Sequence, residues 1–213
     1  MTKKPPVRVK VCGMRELDNL AEVSALRPDY IGLIFYRESP RFVGEDFSLG
    51  TSRANGIHYV GVFVNEQPQA IIKLARKVGF DHVQLHGNES VEDCDILRAA
   101  GLSVIKVFSV GEGFDFSVTS PYGGHVDYFL FDTRGLLFGG NARTFDWSQL
   151  EAYDQRVPFF LSGGLSVDNV LAALELKDMN LHALDLNSGV EDRPGVKNVS
   201  KVKAAFRKLG RQF

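Results

Sequence analysis

Short apolar stretches in which hydrophobic and other residues alternate recur along this chain, separated by longer stretches with helical spacing. The first kind predicts strands at residues 7–11, 30–35, 58–64, 82–85, 103–108, 127–131, 157–161 and 183–186. The second predicts helices at 15–26, 68–78, 90–100, 166–174 and 199–209. Residues 45–55 carry only a weak helical pattern. Residues 109–125 are rich in Gly, Ser and Pro, which predicts a poorly helical segment between the fifth and sixth strands. A short helical turn is predicted after Asp146-Trp147.

Strands that alternate with helices pair in parallel through crossovers. Eight of them, spaced roughly 25 residues apart, predict an α/β protein: a single (β/α)₈ TIM barrel spanning residues 1–213, near the lower size limit of that architecture. An open doubly wound sheet is the structural alternative, and it would hold its ligand at a topological switch point near the first strand-to-helix turn. Here the glycine pairs come late, after the seventh and eighth strands, where barrels often hold a phosphate.

Successive strand residues point to opposite faces. In the first strand Val7, Val9 and Val11 oppose Arg8, Lys10 and Cys12; in the fourth, Val83 and Leu85 oppose His82, Gln84 and His86. In the sixth, Phe129 and Phe131 oppose Tyr128, Leu130 and Asp132, and in the eighth Leu184 and Leu186 oppose Ala183, Asp185 and Asn187. The apolar faces are expected against the helices. The mixed faces then point into the barrel and gather Cys12, Gln84, His86, Asp132 and Asp185 at one mouth, the C-terminal one, where barrel active sites lie.

The 213 residues carry a formal net charge of −1, with 44% hydrophobic and 24% charged residues, an ordinary balance for a soluble globular protein. Near-neutral charge argues against nucleic acid as a partner, and no apolar run approaches the roughly 20 residues of a membrane-spanning helix. The basic start leads into an alternating strand rather than a signal-type apolar core. Cys12 and Cys94 are too few for a disulfide framework, so a reduced, cytoplasmic protein is the simplest expectation. No shift in composition marks a domain boundary.

The chemistry-bearing pair is Cys12 and Asp132, each at the end of a predicted strand. A thiol can take a proton from carbon, and a carboxylic acid can give one to oxygen. The bland readings are a buried cysteine that only packs and an aspartate that only turns the chain. Arg41, after Ser39-Pro40, suits bidentate capture of a carboxylate, or is a solvated surface residue. Gly163-Gly164 and Ser188-Gly189 can present backbone N–H groups to a phosphate, or only serve turns. His82, Gln84 and His86 share a strand face; with no carboxylate partner evident, lining or hydrogen bonding is expected rather than a metal site. Lys10 and Lys106 are both placed on mixed faces, which keeps a Schiff-base aldolase open as a rival reading. Cys94 is read as packing, and His58, His125 and His182 as structural or surface residues.

The stretches Lys10-Val11-Cys12-Gly13, Ser39-Pro40-Arg41, Gly61-Val62-Phe63-Val64-Asn65, Val83-Gln84-Leu85-His86-Gly87, Phe131-Asp132-Thr133, Thr144-Phe145-Asp146-Trp147, Leu161-Ser162-Gly163-Gly164-Leu165 and Asp185-Leu186-Asn187-Ser188-Gly189-Val190-Glu191 stand in an order and spacing that resembles the phosphoribosylanthranilate isomerase family along nearly the whole chain. The resemblance implies a (βα)₈ barrel and an Amadori rearrangement of N-(5-phosphoribosyl)anthranilate to 1-(2-carboxyphenylamino)-1-deoxyribulose 5-phosphate, in tryptophan biosynthesis, with no cofactor and no metal. It implies Cys12 as the general base, Asp132 as the general acid, and Arg41 on the anthranilate carboxylate. Gly163, Gly164, Ser188 and Gly189 would hold the phosphate, while Gln84 and His86 would line the substrate site. Asp185 would contact the substrate amine or a sugar hydroxyl, or orient the neighbouring loop. Cys12 would need a nearby positive charge to ionise, for which Lys10 is the candidate; Asp132 would need surroundings that keep it protonated. A phosphosugar substrate is the one partner implied, with the chain as monomer or homodimer. Ala142 departs from the glycine-rich pattern that usually precedes Thr144, which bears on the shape of that loop. An indole-3-glycerol-phosphate synthase-like barrel and a non-catalytic phosphosugar-binding barrel remain as alternatives.

Overall fold

The computed structural model describes residues 7–50, 53–133 and 144–213. The loop with Ala142 lies outside the described residues. Eight parallel strands close into a barrel: β1 Arg8–Val11, β2 Tyr30–Ile34, β3 His58–Phe63, β4 His82–Leu85, β5 Ser103–Val110, β6 Tyr128–Thr133, β7 Phe159–Leu161 and β8 Leu181–Leu186. Closure is made by β1 against β8, with Val9 opposite Leu184 and Val11 opposite Leu186. A two-stranded hairpin, β9 Glu191–Arg193 and β10 Val196–Lys197, follows the barrel. Among the described residues there are four α-helices: α1 Leu17–Ser24, α2 Pro68–Val78, α3 Val91–Ala99 and α4 Val199–Lys208.

Local chemistry sets most of the boundaries. Pro68 opens α2, where a missing N–H costs nothing, and Gly79 closes it at φ 90°. Ser90 caps α3 in a reciprocal box with Asp93, and the Asn198 side chain caps α4. Strand β7 starts at Phe159 rather than at residue 157 because Pro158 has no N–H to give the ladder. The helix predicted at 166–174 is instead a run of turns ending in a 3₁₀ helix, Ala172–Asp178. There Asn169 accepts from the Ser166 N–H and donates to the Gly164 carbonyl, so its side chain competes with helical bonding. The segment between β5 and β6 carries a 3₁₀ helix, Phe116–Tyr122, with Pro121 inside it, and the turn after Asp146 is a 3₁₀ helix, Trp147–Ala152.

Side-chain parity divides the core. Val9, Val11, Phe129, Phe131, Leu184 and Leu186 belong to the large layer that includes helical residues such as Leu20, Ile71, Leu97 and Phe206. Tyr30, Val60, Ile105, Val107, Leu130, Phe160 and Ala183 form a second cluster inside the barrel. Lys106 lies between Ile105 and Val107 and therefore on the opposite, outward face, which corrects its expected inward placement. Its ammonium donates to the Leu85 and Gly87 carbonyls and to Glu89.

At the N-terminal end of the barrel, Asp29, Asp81 and Asp127 each accept the backbone N–H of the preceding strand, from Val9, Tyr59 and Val104 respectively. Each carboxylate tethers one strand entry to the next. His82 sits at this end too, beside Asp81 and in edge contact with His58, so it does not share the mouth with Gln84 and His86. His58, Asp81 and His82 bring potential metal-donor atoms within 4.8 Å of one another. The Asp81 oxygens are engaged by the Tyr59 N–H and by His58 Nδ1 at 2.6 Å. Burial pushes the Asp81 carboxyl up, but bonds from His82 and His58 outweigh it and hold the carboxyl at about 2.

His182 takes part in the same polar layer, with Nε2 2.8 Å from the Tyr30 hydroxyl. Burial, then the Arg8 charge, lowers its pKa from 6.5 to about 4. The unfolded chain therefore binds more protons than the folded one between those values, and stability must fall as pH drops through that window. Urea midpoints are expected to be lower at about pH 5 than at about pH 7, with His182→Gln losing part of the difference. An unchanged pH dependence in His182→Gln would remove this residue from the account.

Candidate active site

A cavity opens at the C-terminal mouth. Its lining includes Cys12, Gln84, His86, Asp132, Asp185 and Ser188, together with the Ser162–Leu165 turn. The residues that parity placed at one mouth therefore meet there. Cys12 directly follows β1, and its N–H donates to the Leu186 carbonyl at 2.8 Å, which fixes the end of β1 against β8. Gly32 on β2 provides the room for the thiol: a Cβ at that position would lie 2.5 Å from Cys12 Sγ.

The thiol is flanked by charge. Lys10 is fully buried and donates to Asp185 Oδ2 at 2.9 Å. Burial alone would lower the Lys10 pKa; Asp185 and the thiol outweigh that and raise it. Burial is also the largest influence on Cys12 and pushes its pKa up, opposed by the Lys10 and Lys197 charges. Lys10 is thus adjacent, as expected, but its charge is outweighed by desolvation.

Asp132 ends the inward face of β6. Its Oδ1 accepts the Thr133 N–H at 2.9 Å, and its Oδ2 lies 3.4 Å from His86 Nε2. Gln84 Nε2 is 3.3 Å from His86 Nδ1, so the two β4-derived side chains run as a polar row toward the acid. Thr133 Oγ1 accepts the Phe145 N–H, which ties the chain after Thr144 to the rim beside Asp132.

The two glycine turns pack together. Gly163 and Gly164 have φ of 84° and 69°, conformations in which side-chain-bearing residues are strained. A Cβ at Gly163 would collide with Thr133, and one at Gly189 with the Leu165 carbonyl. The N–H groups of Gly163, Gly164, Ser188 and Gly189 donate to no acceptor among the described residues.

Arg41 does not line the cavity. It is buried, with Nε and Nη2 bonded to Glu191, the shortest contact being 2.7 Å. Nη1 forms no bond among the described residues. Glu191 also accepts from Lys197 Nζ at 2.5 Å, and Lys197 donates to Asn187 Oδ1 at 2.8 Å. Sequence reasoning passed over Lys197, Gly32 and Ser162. Ser162 Oγ lies 3.5 Å from Asp185 Oδ2, and its position beside Gly163-Gly164 was the one available signal.

A closed parallel barrel with a thiol, two carboxyls and two glycine turns at its C-terminal mouth is a (βα)₈ protein of the acid–base type. Comparison with known proteins narrows this. Residues 9–208 match the family model described as N-(5'phosphoribosyl)anthranilate (PRA) isomerase, and the chain belongs to that family. It is 44% identical over 204 residues to the N-(5'-phosphoribosyl)anthranilate isomerase of Parabacteroides distasonis, covering 94% of this chain and 92% of that one. The crystal structure of the phosphoribosyl anthranilate isomerase of Thermotoga maritima superposes with a TM-score of 0.86 at 33% identity, covering 96% of this chain and 98% of that one. A crystal structure of a family member in complex with reduced 1-(o-carboxyphenylamino)-1-deoxyribulose 5-phosphate has a TM-score of 0.81 at 31% identity, with the same coverage. Among the described residues no helix is long and apolar enough to cross a membrane.

Proposed function

We propose that this chain isomerises N-(5'-phosphoribosyl)anthranilate to 1-(2-carboxyphenylamino)-1-deoxyribulose 5-phosphate, a step of tryptophan biosynthesis, in the cytoplasm. The observation that carries this reading is the meeting of Cys12 and Asp132 in one cavity of a chain that belongs to the isomerase family. The free N–H groups of the two glycine turns hold the phosphate, where backbone dipoles favour an anion. Nη1 of Arg41 holds the anthranilate carboxylate. With both anions anchored, the ribose lies between the acid and the base, which removes much of the entropic barrier.

Asp132 protonates the ring oxygen and the furanose opens to an imine within the substrate. The Cys12 thiolate then takes the C2 proton, and the resulting enolamine tautomerises to the ketone. The proton gained by sulfur and the one lost by the carboxyl balance over the cycle, so no redox partner is needed. Gln84 and His86 line the path to Asp132. Asp185 keeps Lys10 charged beside the thiol.

The lysine-dependent rival loses support from geometry. Lys10 is consumed by Asp185, and Lys106 points out of the barrel into three acceptors, so neither amine faces the cavity. Turnover of phosphoribosylanthranilate by purified protein, with chelator present, tests the proposal by fluorescence. Absence of turnover by folded protein would favour a non-catalytic phosphosugar-binding barrel, and borohydride trapping of substrate on a lysine would favour the aldolase-type reading.

A further inference from the structure

The hairpin that follows the barrel brings a buried charge cluster against Gly13, the residue next to Cys12. Lys197 is 1% exposed and sits on β10. Its backbone is held to α1, with Lys197 N–H donating to Asn19 Oδ1 at 2.7 Å and the Lys197 carbonyl accepting from Asn19 Nδ2 at 2.9 Å. Its ammonium is gripped by Glu191 and Asn187. A Cβ on Gly13, the residue next to Cys12, would lie 2.7 Å from Arg41 Cδ, 2.8 Å from Asn187 Oδ1 and 3.4 Å from Lys197 Nζ. Glycine at that position, with φ of 74°, lets the thiol-bearing turn lie flat against the cluster.

Buried cations gather near the Cys12-Gly13 turn: Lys10 on β1, Arg41 in the loop after β2, and Lys197 on β10, with Lys201 of α4 bonded to the Glu191 carbonyl and Arg15 packed near Gly195 at the edge of the set. Asp185 on β8 pairs with Lys10, and Glu191 on β9 pairs with both Arg41 and Lys197. Asp132 on β6 and His86 after β4 line the same cavity as the thiol. Buried charges are stable when paired.

We infer that Lys197 is a positioning residue whose buried ammonium, oriented by Glu191 and Asn187, supplies the cation that favours the thiolate form of Cys12 before substrate binds. The inference rests on the proposed role of Cys12 for its catalytic consequence, though not for its electrostatic content. Burial lowers the Lys197 pKa to about 8, against the opposing pull of Glu191, so the ammonium stays charged at neutral pH and its charge weakens as pH rises past that value. Lys197 and the thiolate each favour the charged form of the other.

The test is direct titration of the Cys12 thiolate by ultraviolet absorbance, taken as the difference from Cys12→Ser, in the whole protein without substrate. Lys197→Met should move that titration upward by about one pH unit or more, the range expected when a close opposite charge is removed. Glu191→Gln, which removes the anion paired with Lys197, should move it downward, and Lys197→Arg should restore the parent value. A purely structural role predicts no such reversal of sign. The acidic limb of kcat/KM should follow the titration, since it reports the free enzyme, while KM changes little in Lys197→Met. Should Lys197→Met fail to fold by circular dichroism, Lys197→Arg and Glu191→Gln decide the matter alone. A titration unmoved in the folded variants, or moved the same way by Lys197→Met and Glu191→Gln, would overturn the inference. Titrations that shift as described in a protein without turnover would leave it standing and overturn the proposed function instead.

Discussion

Serine in place of Cys12 is expected to lower kcat by about 10³-fold, within the 10²–10⁴ range typical of a lost general base. The hydroxyl occupies nearly the same space, so the fold and the anchoring of the substrate at its two ends should survive. What is lost is the more acidic of the two groups, the one whose anion lies within reach of the cycle. Burial raises the thiol, and the Lys10 and Lys197 charges oppose it; an alcohol starts far higher and gains no usable alkoxide from the same neighbours. KM should therefore stay within a few-fold of the parent while kcat and kcat/KM fall together, the signature of an interaction used in the transition state. Gly32→Ala provides a second, independent probe of the same atom. A methyl group there meets Sγ at 2.5 Å and must displace it, so kcat should drop although Gly32 is not among the residues that line the cavity. Steady-state fluorescence kinetics check both variants. Near-parental kcat in Cys12→Ser would remove the thiol from the mechanism.

Much of this site was legible because strand parity is a rigid rule. Cys12, Asp132 and Asp185 were placed together from three separate strands, and the cavity lining contains all three. The same rule applied carelessly fails. Lys106 sits in a nearly continuous apolar strand, where alternation gives no cue to direction, and its outward aim follows only once Ile105 and Val107 are known to fill the barrel. His82 shares its face with His86, yet four residues of strand rise, about 13 Å, separate the two ends of the barrel. Ion pairs between distant segments are harder still. Arg41 and Glu191 stand 150 positions apart, and no local pattern reveals that the guanidinium is shared before any ligand arrives. Lys197 was invisible for a related reason: a lysine in a short hairpin reads as solvated surface, and the packing of Asn19 and Gly13 shows it to be buried.

Asp132→Asn removes the other half of the proton traffic and should cost a comparable factor, again about 10²–10⁴ in kcat. Asparagine keeps the shape. Its Oδ1 can still accept the Thr133 N–H that fixes the parent side chain at 2.9 Å, so the end of β6 and the neighbouring Gly163 turn should hold their positions. An amide cannot deliver a proton to the ring oxygen, however, and the furanose then stays closed. The reduced product analogue, which is already ring-opened, should bind Asp132→Asn about as well as it binds the parent, because neither of its anionic ends depends on this carboxyl. Ring opening precedes removal of the C2 proton, so a protein that lacks Asp132 gains little further harm from losing Cys12. The double variant should consequently fall well short of the product of the two single losses, as is usual for residues acting in one sequence. Fully multiplicative losses would mean that the thiol and the carboxyl serve separate routes.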